Sequence, residues 1–150
     1  MKRVPTFREF LAPLPLAAVV LMAVNDHWLK PAFHNIWTGK LSDLAICFFL
    51  PLLISAGLEA CTRWTLPRRL LVGVAMTALL FVPLKLSQPA ADLFCAVLGS
   101  IGRPLGFHQF RAVADPTDLI ALPFLALAVA SALHLSASRC PNPNEAPKEV

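Results

Sequence analysis

Four long apolar stretches constrain this chain more than any other feature. They cover roughly residues 10–29, 41–58, 66–86 and 118–137. A helix needs roughly 20 apolar residues to cross the hydrocarbon of a bilayer. Four such crossings would take a little over half of the 150 residues. Hydrophobic residues make up 57% of the chain and charged ones 15%, against about 25% charged in an ordinary soluble domain. That balance excludes a disordered chain, which needs low hydrophobicity and high charge. It also leaves too little polar sequence to cover a soluble α/β enzyme, and four Cys are too sparse for a disulfide scaffold. The expected fold is an all-α membrane protein with four transmembrane helices as two αα-hairpins.

Prolines mark each stretch. Pro13 and Pro15 fall in the first turns of the first, where a missing N–H costs least. Pro51 falls at mid-depth of the second and predicts a kink there. Pro83 lies near the end of the third, and Pro123 in the second turn of the fourth. A fifth apolar stretch, residues 89–101, is too short to cross and reads as a short interfacial or re-entrant helix, with Asp92 near its N-terminus. Gly99, Gly102, Pro104 and Gly106 then break it into loop. Lys2, Arg3 and Arg8 before the first stretch resemble a signal-peptide leader, but no small-x-small cleavage site follows, so a retained span is expected. Residues 1–140 read as one membrane domain, and 141–150, rich in Pro, Asn and Glu, as a disordered tail.

Basic residues set the expected orientation. Lys2, Arg3, Arg8, Arg63, Arg68, Arg69, Arg139 and Lys148, eight of the thirteen, fall on the side of the termini. Lys30, Lys40, Lys85, Arg103 and Arg111 fall on the other, together with Asp26, Asp43, Asp92, Asp115 and Asp118. Both termini are therefore expected in the cytoplasm, in a cell inner membrane. Trp28 and Trp37 beside one face and Trp64 beside the other fit interfacial belts. The net charge of +4 suits contact with an anionic lipid surface. No basic cluster with interleaved aromatics points to nucleic acid. Cys47, Cys61, Cys95 and Cys140 lie at different levels, so no structural disulfide is expected.

The two halves read alike. Leu29-Lys30 ends the first stretch and Ser42-Asp43-Leu44 opens the second, while Leu84-Lys85 ends the third and Thr117-Asp118-Leu119 opens the fourth. A duplication would make parallel repeats. It would build a quasi-symmetric outer site, with Lys30 and Asp43 facing Lys85 and Asp118.

Ionisable residues near hydrocarbon are paired, snorkelling or functional. Asp26 and Lys30 are spaced i,i+4 in the favourable order, so a local ion pair is the plain reading. The functional one turns Asp26 and His27 into the bundle. Asp43 and Asp118 both sit where a helix is expected to begin, which suits capping. Asp115-Pro116-Thr117-Asp118 reads as a capping box with Asp in place of Glu. Asp43 follows no such box and is less well explained by capping. Lys85 is expected to snorkel, and Ser87 and Gln88 to be loop polar groups. The candidate ligand-binding set is Asp26, His27, Lys30, Lys40, Ser42, Asp43, Lys85 and Asp118. His27, His34 and His108 lack zinc-ligand spacing, His134 has no partner at its depth for haem, and no P-loop or nucleophile elbow is present, so no metal or cofactor is expected. Gly73 with Thr77, and Ala126 with Ala130, are small-xxx-small pairs suited to close helix packing.

The run Asn25-Asp26-His27-Trp28-Leu29-Lys30 with Thr38-Gly39-Lys40-Leu41-Ser42-Asp43-Leu44 resembles the signature of uncharacterised small integral membrane proteins of bacteria, over about residues 25–51. The resemblance implies a bacterial inner-membrane setting and no particular chemistry. Two functional classes stand. One is a non-enzymatic membrane protein that binds a small polar ligand, a membrane-protein partner or a second copy of itself at an extracytoplasmic polar pocket. The other is a membrane-embedded enzyme acting on a lipid or lipid-linked substrate, with Asp43 or Asp118 as general base. A transporter, which four spans would need to oligomerise to enclose, ranks third.

Overall fold

The computed structural model describes residues 7–33, 36–105 and 112–138. Lys2, Arg3, His34, His108, Arg111, Arg139, Cys140, Lys148 and the tail at 141–150 lie outside the described residues. The described residues are all helical or irregular, with no strand. Helix α1 is Pro13–Val24, continued by a π-helical turn at Asn25–Leu29 and a short helix α2 at Lys30–Phe33. Then come α3 (Ile36–Cys61), α4 (Leu66–Leu86) and α5 (Gln88–Gly102), with a 3-10 turn at Arg103–Leu105. A 3-10 turn at Pro116–Ala121 leads into α6 (Pro123–Ala137).

Three helical segments are long and apolar enough to cross a membrane: Thr38–Cys61, Leu66–Leu86 and Pro116–Ala137. The first apolar stretch is different. Its α-helix has only 12 residues, bounded by Pro13 at the start and by the π turn at the end. The third stretch keeps its expected bounds. The second begins earlier than expected, because Thr38 to Lys40 are helix and not loop. Pro51 lies inside that helix. The fourth opens as a 3-10 turn, and Pro123 is the first residue of α6 instead of lying in its second turn.

Helix α3 is the central element and packs on α1, α4 and α6. Its neighbours meet it through small side chains. Ala18, Ala45, Phe48, Leu52, Leu70, Ala128 and Ala132 form one buried cluster. Cys47, Phe81, Ala121 and Leu125 form a second. Without a hydrophobic drive between helices in lipid, small residues let backbones approach. On α4 the expected pair Gly73 and Thr77 is buried. On α6 the expectation is wrong by one helix face: Ala126 and Ala130 are exposed, and Ala128 and Ala132 make the contact. Large apolar side chains, among them Leu53, Leu71, Met76, Leu79 and Leu127, are exposed. An interior rich in Ala around a few Leu and Phe, with many more large apolar side chains left outside, is the arrangement that suits hydrocarbon surroundings and not water.

The α3–α4 seam is a pair of i,i+4 rows laid antiparallel. Asp43, Cys47, Pro51, Ser55 and Glu59 follow one another on α3, and Arg69, Gly73, Thr77, Phe81 and Lys85 on α4. Asp43 meets Lys85, Cys47 shares a cluster with Phe81, Pro51 meets Gly73, and Ser55 and Glu59 meet Arg69. Interdigitated i±4 rows are a preferred helix packing. Here the seam carries an acid–base pair at each end. The two pairs are sixteen residues apart along each helix, or about 24 Å at 1.5 Å per residue.

Candidate functional site: a shared lysine between two carboxylates

Lys85 sits near the C-terminus of α4, where its Nζ reaches two other elements. It donates to Asp43 Oδ2 of α3 at 2.8 Å and to Asp118 Oδ2 of the 3-10 turn at 2.7 Å. Asp118 uses its other oxygen, Oδ1, to accept from Lys40 Nζ at 3.0 Å. Lys40 also donates to Thr117 Oγ1 at 2.6 Å. Two carboxylates and two ammonium groups thus balance in one network. Both Asp residues are buried. The Lys85 ammonium also lies 5.4 Å from the centroid of the Phe81 ring one turn back, within range of a cation–π attraction.

This geometry corrects the capping and snorkelling expectations. Asp43 lies two turns inside α3, which begins by Ile36, so it caps nothing. Asp118 does not complete a capping box: its carboxylate goes to the two lysines. Asp115 is the N-cap, as its first place in the expected box implies, accepting from Thr117 N at 2.9 Å and from Thr117 Oγ1 at 2.8 Å. Those two bonds hold its carboxyl below the ordinary value of 3.8. Lys85 does not snorkel, and Lys40, not Lys30, completes the network.

A second polar group lies beside the first. The fully buried Asn25, in the π turn, donates through Nδ2 to the backbone oxygen of Thr38 and, at 2.7 Å, to Ser42 Oγ. Ser42 Oγ donates to Asp26 Oδ1 at 2.7 Å. Asp26 pairs with Lys30 at 2.6 Å, as the i,i+4 spacing predicts. A π turn is a common device at functional sites, and here Asn25 and Asp26 both reach α3 from it.

The two groups border one cavity of about 640 Å³. Asp26, Lys30, Ser42, Asp43, Lys85 and Asp118 supply its polar side, and Phe49, Leu50, Leu80, Phe81, Leu84 and Phe94 its apolar side. Six of the eight residues singled out from sequence therefore meet here. Lys40 borders a neighbouring apolar groove with Phe33, Leu44 and Phe124. His27 is exposed and borders neither. Gln88, expected to be an ordinary loop group, fastens a segment beside the cavity. Its amide donates to Ala112 O and accepts from Ala114 N, and it also donates to Asp92 Oδ1. Ala112 and Val113 border the cavity from that segment.

A lysine ammonium has three N–H donors. Two go to the carboxylates, which leaves one for an occupant. The site can therefore hold a molecule with a polar end against the network and an apolar part against the phenylalanines.

At the other end of the seam lies a cluster that sequence reading missed. Arg69 is buried, pairs with Glu59 at 2.9 Å and donates to Ser55 O at 3.3 Å. The matched spacing of Asp43 and Glu59 on one helix and Arg69 and Lys85 on the next was the available signal.

Compared with family models, with curated proteins and with solved structures, the chain shows no match.

Proposed function

We propose that this chain is a multi-pass membrane protein of the bacterial inner membrane that binds a small polar ligand in an extracytoplasmic pocket. In this reading the 13–33 segment is a fourth span. The chain path forms two up-and-down pairs, α1 with α3 and α4 with residues 116–137, joined through the α3–α4 seam. The short α5 lies at the outer interface. The excess of Lys and Arg beside the termini supports a cytoplasmic side for both. The resemblance of residues 25–51 to small bacterial membrane proteins agrees with that setting.

One observation carries the binding reading: a half-buried Lys85 shared by the buried Asp43 and Asp118 on the wall of a cavity. Apolar residues of similar volume would hold three helices together at least as well as buried ions do. Ionisable groups kept at such a depth mark a site by default. An enzymatic role with Asp43 or Asp118 as general base has less behind it, because both carboxylates already accept from lysine. A membrane-protein segment or a second copy of the chain could use the same polar edge, but the cavity is better matched to a small molecule.

The test is thermal unfolding in detergent against a panel of small zwitterionic and neutral polar solutes. A ligand that raises the Tm of the wild type and not of Asp43→Asn or Asp118→Asn is the expected result. A Tm rise that persists in both variants would place the ligand elsewhere. For topology, Cys95 should react with a membrane-impermeant maleimide added outside intact cells. Protection of Cys95 with labelling of Cys140 would invert the orientation.

A further inference from the structure

The cluster at the Arg69 end borders a cavity of its own, of about 810 Å³. It lies beyond the turn from α3 to α4, at the opposite end of the seam from Asp43. Arg8, Glu9, Glu59 and Arg69 border it with Trp64, and Leu66 and Leu135 give it apolar walls. The side chain of Arg69 is 8% exposed, yet its Nε has no hydrogen-bond partner. Across the same cavity the buried Oε2 of Glu9 has none either. The two residues face each other at 3.7 Å, between Arg69 Nη2 and Glu9 Oε1, too far for a hydrogen bond. A buried donor and a buried acceptor, both unused, are costly unless something supplies their partners.

We infer that this cavity binds a zwitterionic group carrying one phosphate and one primary ammonium, as in the headgroup of phosphatidylethanolamine. Arg69 Nε and Glu9 Oε2 are closed off from solvent, so binding turns the two side chains toward the cavity, and the phosphate then takes the Arg69 Nε–H and the Arg8 guanidinium. Arginine presents planar N–H donors suited to phosphate oxygens. The ammonium donates to Glu9 Oε2. Charge decides against a purely anionic headgroup, since Glu9 and Glu59 offset Arg8 and Arg69. A quaternary ammonium fails on different grounds: it has no N–H to give to Oε2. Trp64 at the rim suits the headgroup level of a bilayer, and the leucine walls receive the start of the acyl chains. The inference needs the chain to lie in a membrane, but not the pocket at the Asp43 end.

The full-length protein in detergent is unfolded thermally with added phosphatidylethanolamine, phosphatidylcholine or phosphatidylglycerol at equal mole fraction. A parallel arm uses soluble phosphoethanolamine. Trp64 quenching by bromine-labelled lipid, in a Trp28→Phe/Trp37→Phe background, reports occupancy. The expected result is a larger Tm rise and stronger quenching with phosphatidylethanolamine than with either other lipid. Glu9→Gln should erase the advantage over phosphatidylcholine. If soluble phosphoethanolamine raises Tm as much as the lipid, the same chemistry is bound from solution. Equal response to all three lipids, or preference for phosphatidylglycerol, overturns the inference. Should Glu9→Gln fail to fold, successive N-methylation of the headgroup replaces it: binding should fall sharply at the third methyl. Ligand effects at the Asp43 end are read with Asp43→Asn, which should leave the lipid preference unchanged.

Discussion

Gly73 faces the carbonyl group of Pro51 so closely that a Cβ at position 73 would fall on the Pro51 carbonyl oxygen. The obstacle is backbone and cannot rotate away. Gly73→Ala must therefore push α4 from α3, at the middle of a seam tied by ion pairs at both ends. Overpacking of this kind costs about 1–3 kcal/mol. Gly57, on the same helix as Pro51, meets nothing within 4 Å. Gly57→Ala should be neutral or stabilising by up to about 1 kcal/mol through helix propensity. Reversible unfolding in mixed micelles would check the contrast. Equal effects of the two substitutions would mean that the helices are not in van der Waals contact at Gly73.

Lys30 and Lys85 occupy corresponding places in the two halves of the sequence, yet removing them should have very different consequences. Lys30 pairs with Asp26 where both side chains are about two-fifths exposed (40% and 42%). Lys30→Met should cost less than about 1 kcal/mol. Lys85→Met would leave two buried carboxylates facing each other, and breaking such a pair costs about 3–5 kcal/mol. Adding Asp43→Asn to Lys85→Met should recover most of that loss, since Asp118 keeps Lys40 as its partner and the network is neutral again. Unfolding free energies of the single and double variants decide the matter. A double variant no better than the single would show that the network is held by something other than charge balance.

Hydropathy made three long helices legible because their lipid-facing Leu and Val dominate any window. The bounds of α4 were readable too, with Pro67 near its start and Ser87 just past its end. The start of α3 was not. Thr38, Gly39 and Lys40 look like loop residues in isolation, and they are helical because neighbours satisfy them: Asn25 bonds the Thr38 carbonyl and Asp118 takes Lys40. That one displacement turned Asp43 from an apparent cap into a buried partner of Lys85. The membership of the site was largely visible, since polar residues near hydrocarbon stand out. Its pairing was not, because the choice of Lys40 over Lys30 depends on how the 3-10 turn at residues 116–121 lies against α3. Glu59 and Arg69 went unread because each looks like an ordinary charge at a helix end. Only the equal spacing of acids on α3 and bases on α4 connects them.

That spacing makes Glu59 and Arg69 a coupled pair. Arg69 holds Glu59 and the Ser55 carbonyl with the same Nη1. A lysine has one point of contact and a shorter reach, so Arg69→Lys should not substitute. In a double-mutant cycle with Glu59→Gln and Arg69→Gln, the coupling energy should be about 0.5–3 kcal/mol. A cycle closing at zero would remove this pair from the account of how α3 and α4 keep register.

The cap at Asp115 is linked to the network by Thr117, whose hydroxyl donates to Asp115 Oδ1 and accepts from Lys40. The hydrogen bonds from Thr117 lower the Asp115 pKa below 3.8. A carboxyl depressed in the folded state contributes stability above its unfolded value. That contribution disappears as pH falls through the lower, folded value. The cap should therefore be fully effective at neutral pH and fade only under acid conditions, below pH 3.8. Thr117→Val removes the hydroxyl donor and keeps the backbone one. The Asp115 pKa should then move part of the way back towards 3.8, measured by carboxyl carbon shifts in an NMR titration. The same substitution takes a partner from Lys40 and leaves Lys85 with both of its carboxylates. A value unchanged from wild type would mean that the backbone N–H alone sets the Asp115 pKa, and that Thr117 does not join the cap to the lysines.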